Sequence, residues 1–446
     1  MDKIKEEALH RMNRLTQQIR SERGNSLLLA IVAILLLSTF SVVTLSVVVT
    51  DNRVTAHSLE ASKAVWLAEA GVERALFWLR QQNPPPSGTD SFVLFDHDSL
   101  SDGTYSVTIQ PLSGNADHYL KKYDILATGN EKNILKGIRV RVKSVTFAQY
   151  AYLSGSEGQN IYFITGDVIE GPLHSNDQIS ISGSPVFQGK VTSSANSFNE
   201  TSGSNPIFAE GYQLGVPVVD FPTPQDVLDN YYTENSDAPL TIDATGSKHA
   251  DLEFTAKGEI KYSVWHFSDE TKVYDVHDAH VKLTDTHGLI YVEDDATVKG
   301  VVKGQVTLLA TGDLTIVDDI KYSKVEPDGK PKPDCQDLLG MISGGDIIIA
   351  DNAANDRDVR IDGALLALGN SLCVENNDSG TDRGKLTIYG SLGQAVRGPI
   401  KAVRSNGSTT GYTKDYHYDQ RLCNTIPPYF PRTGQYDVTS WQQAGR

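Results

Sequence analysis

The chain has 446 residues, with 40 Lys and Arg against 56 Asp and Glu, a formal net charge of −16. That length allows roughly two to four domains, and the acidic balance argues against nucleic acid as a partner, because phosphate binding needs concentrated positive charge. A composition of 39% hydrophobic and 22% charged residues excludes a mainly disordered chain.

Residues 1–24 carry Lys3, Lys5, Arg11, Arg14, Arg20 and Arg23 against Asp2, Glu6, Glu7 and Glu22, six cations to four anions. They read as a basic cytoplasmic leader. Leu27 to Val49 follows with 23 residues and no charge. As a helix it spans about 35 Å, enough to cross a bilayer core with some tilt. A cleaved secretory signal would have a shorter apolar core ending in a small-x-small site, and neither is present. The segment therefore predicts a retained, single-pass helix. The positive-inside bias puts the N-terminus in the cytoplasm and all that follows Val49 outside the cytoplasmic (inner) membrane.

The helical pattern outlasts the apolar run. Ala61, Val65, Ala68, Val72, Ala75 and Leu79 recur at steps of three and four, one stripe of an α-helix, until Pro84 to Pro86 stop it. Trp66, Ala70 and Phe77 form a second apolar set beside that stripe. A continuous helix over 25–82 is expected, with residues 27–49 in lipid. Glu69 and Glu73 lie four apart on one face, an acidic contact for a partner subunit or simply a solvated surface. A helix half in lipid and half on a soluble domain suits a subunit of a helical filament drawn out of a membrane.

These residues also carry a resemblance. Arg23-Gly24 before the apolar run, followed by Ala68-Glu69-Ala70-Gly71-Val72-Glu73-Arg74-Ala75, resembles the N-terminal segment of PilX-type minor pilins of the type IV pilus and type II secretion group. The resemblance implies cutting by a prepilin peptidase between Gly24 and Asn25, other pilins and the assembly machinery as partners, and extraction of the helix into a filament. Major pilins carry Glu at the fifth mature position, where this chain has Leu29, and the first mature residue would be Asn25 rather than Phe. A buried carboxylate is retained only where it meets a cation. Its absence suits a low-copy, tip or priming subunit.

Residues 89–147 predict a small antiparallel β module. Residues 103–109, 123–127 and 138–143 alternate apolar and polar side chains, the period of strands with one buried face. Residues 150–400 change to short strands punctuated by Gly, Asp and Asn. They predict a right-handed parallel β-helix with an insertion at 199–285 and a short helix near 224–232, the alternative being a β-sandwich. The Pro- and aromatic-rich segment 401–446 is expected to cap the solenoid. The fold class is α+β, mainly β.

No GxSxG, HExxH, P-loop or GxGxxG motif occurs. His174, Ser175 and Asp177 share one turn, too close in sequence for a proton-transfer triad. Asp294, Asp295, Asp318, Asp319, Asp356 and Asp358 would line a cleft in a membrane-tethered, polysaccharide-active enzyme, or equally make the outer bends of a solenoid. The oxygen-rich stretch 351–363 admits a structural Ca²⁺ but lacks the EF-hand ligand order. His277, His280 and His287 have no zinc-type spacing. The three cysteines, Cys335, Cys373 and Cys423, leave every pairing open, including none. The expectation is a structural protein without cofactor or catalytic residues, its head offering a surface or glycan ligand site.

Overall fold

In the computed structural model, residues 2–82, 84–112, 120–158, 161–404 and 408–444 are described. The first element is one α-helix, α1 (Asp2–Arg80), of 79 residues. It therefore begins inside the predicted leader and does not break at the end of the apolar run. No proline interrupts it. The last turn tightens as Gln81 and Gln82 donate to the carbonyls of Trp78 and Leu79, and Pro84 to Pro86 lie just beyond.

The C-terminal third of α1 docks on an antiparallel sheet of β1 (Phe92–Leu100), β2 (Gly103–Pro111), β3 (Lys122–Glu131) and β4 (Ile134–Thr146), paired in that order, with two-residue turns between β1 and β2 and between β3 and β4. Alternation does what its period requires. Tyr105, Val107 and Ile109 of β2, Tyr123, Ile125 and Ala127 of β3, and Ile138, Val140 and Val142 of β4 form one buried face. That face packs on Leu67, Ala68, Val72, Ala75, Leu76 and Leu79. Gly129 on β3 permits the close approach, since a β-carbon there would press into the Ala64 carbonyl oxygen and the Ala68 amide of the helix.

On the other face of the sheet, Asp124 is fully buried beneath Arg139 and Arg141, whose guanidinium groups reach it at 2.6 and 2.7 Å. The Arg141 hydrogen bond, then that of Arg139, holds its carboxyl below the ordinary value of 3.8, against the opposing effect of burial. A depressed folded-state pKa stabilises above the unfolded value and is lost as pH falls through the folded one. Asp124→Asn is expected to cost about 1–3 kcal/mol at neutral pH. The difference in melting temperature from the native chain should shrink as pH drops below 3.8.

The sheet has a fifth strand that pattern reading does not place. Arg432–Ala444, at the end of the chain, pairs antiparallel with β4, from Arg432↔Thr146 to Ala444↔Gly137. Within the segment 401–446, expected to cap a solenoid, Leu422, Ile426 and Phe430 are buried with Leu289, Leu309, Leu338 and Ile342 of the large sheet, while 432–444 joins the small one. Thr409–Tyr418 pairs in parallel with Asp382–Val396, and the chain then returns to the small sheet.

Between β4 and that return lies the mainly β part, whose largest sheet is mixed and predominantly parallel. Leu289–Glu293, Gln305–Ala310, Leu338–Ser343, Val359–Ala367 and Asp382–Val396 pair in succession, all parallel. Tyr152–Ser156 then pairs on the far side of Asp382–Val396, followed by Leu173–Ser175, Val191–Ser193 and Tyr212–Leu214. Spatial order therefore differs from chain order, because residues 152–214 stack beyond strands that come later in sequence. Such parallel succession is not the antiparallel pairing of the sandwich alternative. The antiparallel exceptions are Lys248–Thr255, Glu259–Ser268 and Thr271–Lys282, and the pair Lys401–Val403 with Thr409–Tyr418.

The predicted insertion 199–285 is narrower in the structure. Asn199–Glu200, Ile207–Phe208 and Leu240–Asp243 all pair in parallel with neighbouring strands. What departs is the hairpin 259–282 and a strap over 215–239 that leads from Tyr212–Leu214 back to Leu240–Asp243. The strap contains α2 (Pro224–Glu234), started by a Thr223–Asp226 capping box and a proline in its first turn. Its Val227, Leu228 and Tyr231 are buried against Leu289, Leu309, Leu338 and Ile342.

Candidate functional site

The feature with the plainest physical consequence is α1 itself. Residues 26–59 are exposed at every position, including Leu29, and the helix is long and apolar enough to cross a membrane. Within 27–50 its few polar side chains are internally satisfied. The hydroxyls of Ser38, Thr39, Ser41, Thr44, Ser46 and Thr50 donate to carbonyls three or four residues earlier. The segment thus offers an apolar neighbour no unpaired hydroxyl, which is what a hydrocarbon or close-packed helical environment demands. Gly24 and Asn25 lie within the helical backbone.

Of the predicted stripe, Ala68, Val72, Ala75 and Leu79 are buried on the sheet, while Ala61 and Val65 are half-buried. Sequence reasoning missed Ala64, Leu67, Gly71 and Leu76, also buried, because the docking face is wider than one stripe. Within the AEAGVERA string, Gly71 faces Tyr105 and Val107. Arg74 reaches Asp98 of β1 at 3.1 Å and lies 4.6 Å from the Phe95 ring centre. The string therefore fastens the helix to its own sheet. Glu69 and Glu73 project outward and are exposed, as are Trp66 and Phe77, at 61% and 62%.

The His-Ser-Asn-Asp turn forms a clasp instead of a catalytic group. His174, buried, makes 2.9 Å hydrogen bonds to Thr192 Oγ1 and Asn176 Oδ1. Asn176 in turn grips the strap, donating to the Val219 carbonyl and accepting from its amide, both at 2.8 Å. Ser175 accepts from Ser154, and Asp177 accepts from Ser156 and the Glu157 amide. Burial pushes His174 below its ordinary 6.5, partly offset by the Asn176 hydrogen bond.

The predicted acids do not converge on one cleft. Asp295 accepts from the Asp313 amide and Asp358 from the Lys385 amide, the roles of turn residues. Asp318 and Asp319 both bind Arg357, Asp294 adopts a positive φ of 94°, and Asp356 is exposed. In 351–363, Asp351 pairs with Arg383 and Asp362 with Arg360, each at 2.8 Å. Burial pushes the Asp362 carboxyl up to about 6, opposed by Arg360. Among the described residues no group of three or more His, Cys, Asp and Glu could hold a metal ion. His277 lies against Tyr274, His280 lies 3.3 Å from Glu259, and His287 occupies a left-handed turn. Cys335, Cys373 and Cys423 are all free.

One buried group has no local sequence signal. Arg397 and Glu157, each 2% exposed at the side chain, form a 2.8 Å ion pair where Tyr152–Ser156 stacks on Asp382–Val396. The partners are 240 residues apart in sequence, so only the topology brings them together.

Residues 104–196, from β2 through the first strands of the mainly β part, match a family described as a domain of unknown function, DUF4900. No curated protein matches. The crystal structure of the competence-associated pilin ComZ from Thermus thermophilus aligns with 86% of this chain and 97% of its own, at 12% identity and a TM-score of 0.37.

Proposed function

We propose that this chain is a minor, pilin-like structural subunit of a type IV pilus or related filament, anchored in the cytoplasmic membrane before assembly. The observation that supports this reading is a single helix with a bare apolar half and a second half fastened to an antiparallel sheet. Burying Leu27 to Val49 against lipid, and later against helices of neighbouring subunits, gives the exposed residues the environment their composition requires. On this reading the N-terminus faces the cytoplasm, a prepilin peptidase cuts between Gly24 and Asn25, and other pilins and the assembly machinery are the partners. Glu69 and Glu73, with the exposed Trp66 and Phe77, face those neighbours.

The stacked parallel strands of residues 152–418 are read as a β-solenoid of right-handed parallel β-helix type, carried outside the membrane by the helix and small sheet. So bulky a head, together with Leu29 in place of a carboxylate, favours low copy number and a tip, priming or adhesion role. Mass spectrometry of the native protein tests the mechanism. The expected N-terminus of the filament-associated form is Asn25; an intact Met1 in sheared filaments contradicts it.

A further inference from the structure

We propose that a three-lysine depression at one corner of the stacked strands binds a compact, multiply charged phosphoryl anion. Lys257, Lys282 and Lys303 line an open depression of about 470 Å³, with Glu259, Thr284 and Gln305 beside them. That volume lies within the range of ligand sites. The inference goes beyond the filament reading and does not rest on it, because every lining residue belongs to the folded head.

The three lysines come from three turns. Lys257 sits in the bend between Lys248–Thr255 and Glu259–Ser268, Lys282 ends Thr271–Lys282, and Lys303 lies between Ala296–Val302 and Gln305–Ala310. Backbone bonds hold these turns in place. The Gly258 amide donates to the Thr255 carbonyl at 3.0 Å, the Leu283 amide to the Gly258 carbonyl at 2.9 Å, and the Gly304 amide to Asp337 at 2.9 Å. Those amides are thereby engaged, so recognition falls to the side chains.

The lysine charges are unpaired. Among the described residues of 150–446, nine lysines pair with a carboxylate, so pairing is the rule in this acidic head. Lys257, Lys282 and Lys303 are exposed, and among the described residues none of their ammonium groups has an ion-pair or hydrogen-bond partner. Glu259, which stands opposite Lys282 in the ladder, turns to His280 at 3.3 Å instead. The depression therefore carries three cations to one carboxylate, in a chain whose net charge is −16. Gathering like charges costs free energy that an anion set between them recovers.

The lining also chooses the class of anion. A carboxylate is planar and is best held by the fork of a guanidinium, and no arginine lines the depression. Ammonium groups act as point charges, which suits the tetrahedral oxygens of a phosphoryl group approached from several sides. Nucleic acid needs a longer basic track, whereas Lys261 and Lys272 of the same hairpin are paired with Asp278 and Asp251.

The test uses the full chain in phosphatidylcholine nanodiscs. It is titrated calorimetrically with tripolyphosphate, citrate and a short DNA duplex, and mixed with vesicles containing phosphatidic acid. Tripolyphosphate should bind, and more tightly than citrate. Lys257→Ala, Lys282→Ala and Lys303→Ala should each weaken it about tenfold, the loss of one charged contact. The melting temperature should not change, because these side chains are exposed. Lys190→Ala removes the same charge beside Val191–Ser193, at the other end of the succession of strands, and should leave the affinity within twofold. Glu259→Gln should tighten binding. Tripolyphosphate binding assigns a free phosphorylated ligand; vesicle binding alone, lost in the same three variants, assigns a lipid headgroup, and either supports the site. The proposal is overturned if neither binds, if binding survives all three lysine variants, if citrate binds equally well, or if the duplex binds more tightly than tripolyphosphate.

Discussion

Replacing Gly129 with valine is expected to detach α1 from its sheet and destabilise the small module by about 3 kcal/mol or more. Gly129 is not among the residues with positive φ, so the backbone itself admits valine and the effect is steric. A side chain there would drive into the Ala64 carbonyl and the Ala68 amide, parts of the helix's own hydrogen-bond ladder. Neither can yield without moving the whole rod. Ala64, Leu67 and Ala68 would then lift from β3, and the buried face of Tyr123, Ile125 and Ala127 would lose its cover. Gly88, whose added β-carbon would meet nothing within 4 Å, is the control, and Gly88→Val should melt like the native chain. Equal melting of the two variants would refute the docking account.

The second large effect is expected at Arg397. Its guanidinium binds Glu157 at 2.8 Å, donates to the Tyr162 carbonyl at 3.3 Å, and lies 3.9 Å from the Phe163 ring centre. Arg397→Met keeps much of the volume but strands the Glu157 carboxylate in the interior, a loss of about 3–5 kcal/mol. Adding Glu157→Leu removes the stranded charge and should recover most of that loss, because a buried ion pair replaced as a pair by apolar groups is often near neutral. Denaturation of the single and double variants reads the difference. Hydrogen exchange should show Tyr152–Ser156 opening first in the single variant, since this strand stacks on Asp382–Val396 at that point. A double variant no better than the single one would mean the pair is not what joins the two runs of strands.

Much of the architecture is legible locally. The apolar run, the 3–4 stripe and the prolines fix α1, because each acts within one or two turns. Alternation over 103–109, 123–127 and 138–143 finds three of the four hairpin strands, since each has one wet and one dry face. β1 escapes the pattern: Phe92, Val93, Leu94 and Phe95 are consecutive apolar residues, and the β1–β2 register shifts twice. What the sequence hides is long-range. No local cue sends Arg432–Ala444 back to β4, or seats residues 152–214 beyond a strand whose pairing joins Tyr152 to Leu392. The insertion is over-read for a related reason, because its Pro, Asn and Tyr content masks short strands such as Ile207–Phe208 that pair with only a few residues. Acids and histidines look chemical in one dimension, yet in space they hold turns and a strap.

The most direct test of the central idea is a distance within α1. Spin labels at Leu35, in the bare half, and Ser62, at the start of the docked half, would be placed on a chain whose three native cysteines are alanine, reconstituted in nanodiscs. Pulsed dipolar spectroscopy should give a single narrow distribution near about 40 Å, the rise of 27 residues of unbroken helix. A distribution centred below about 30 Å, or split into two, would mean that the rod bends or breaks between its halves, and a helix spanning lipid and head alike could not be the basis of assembly.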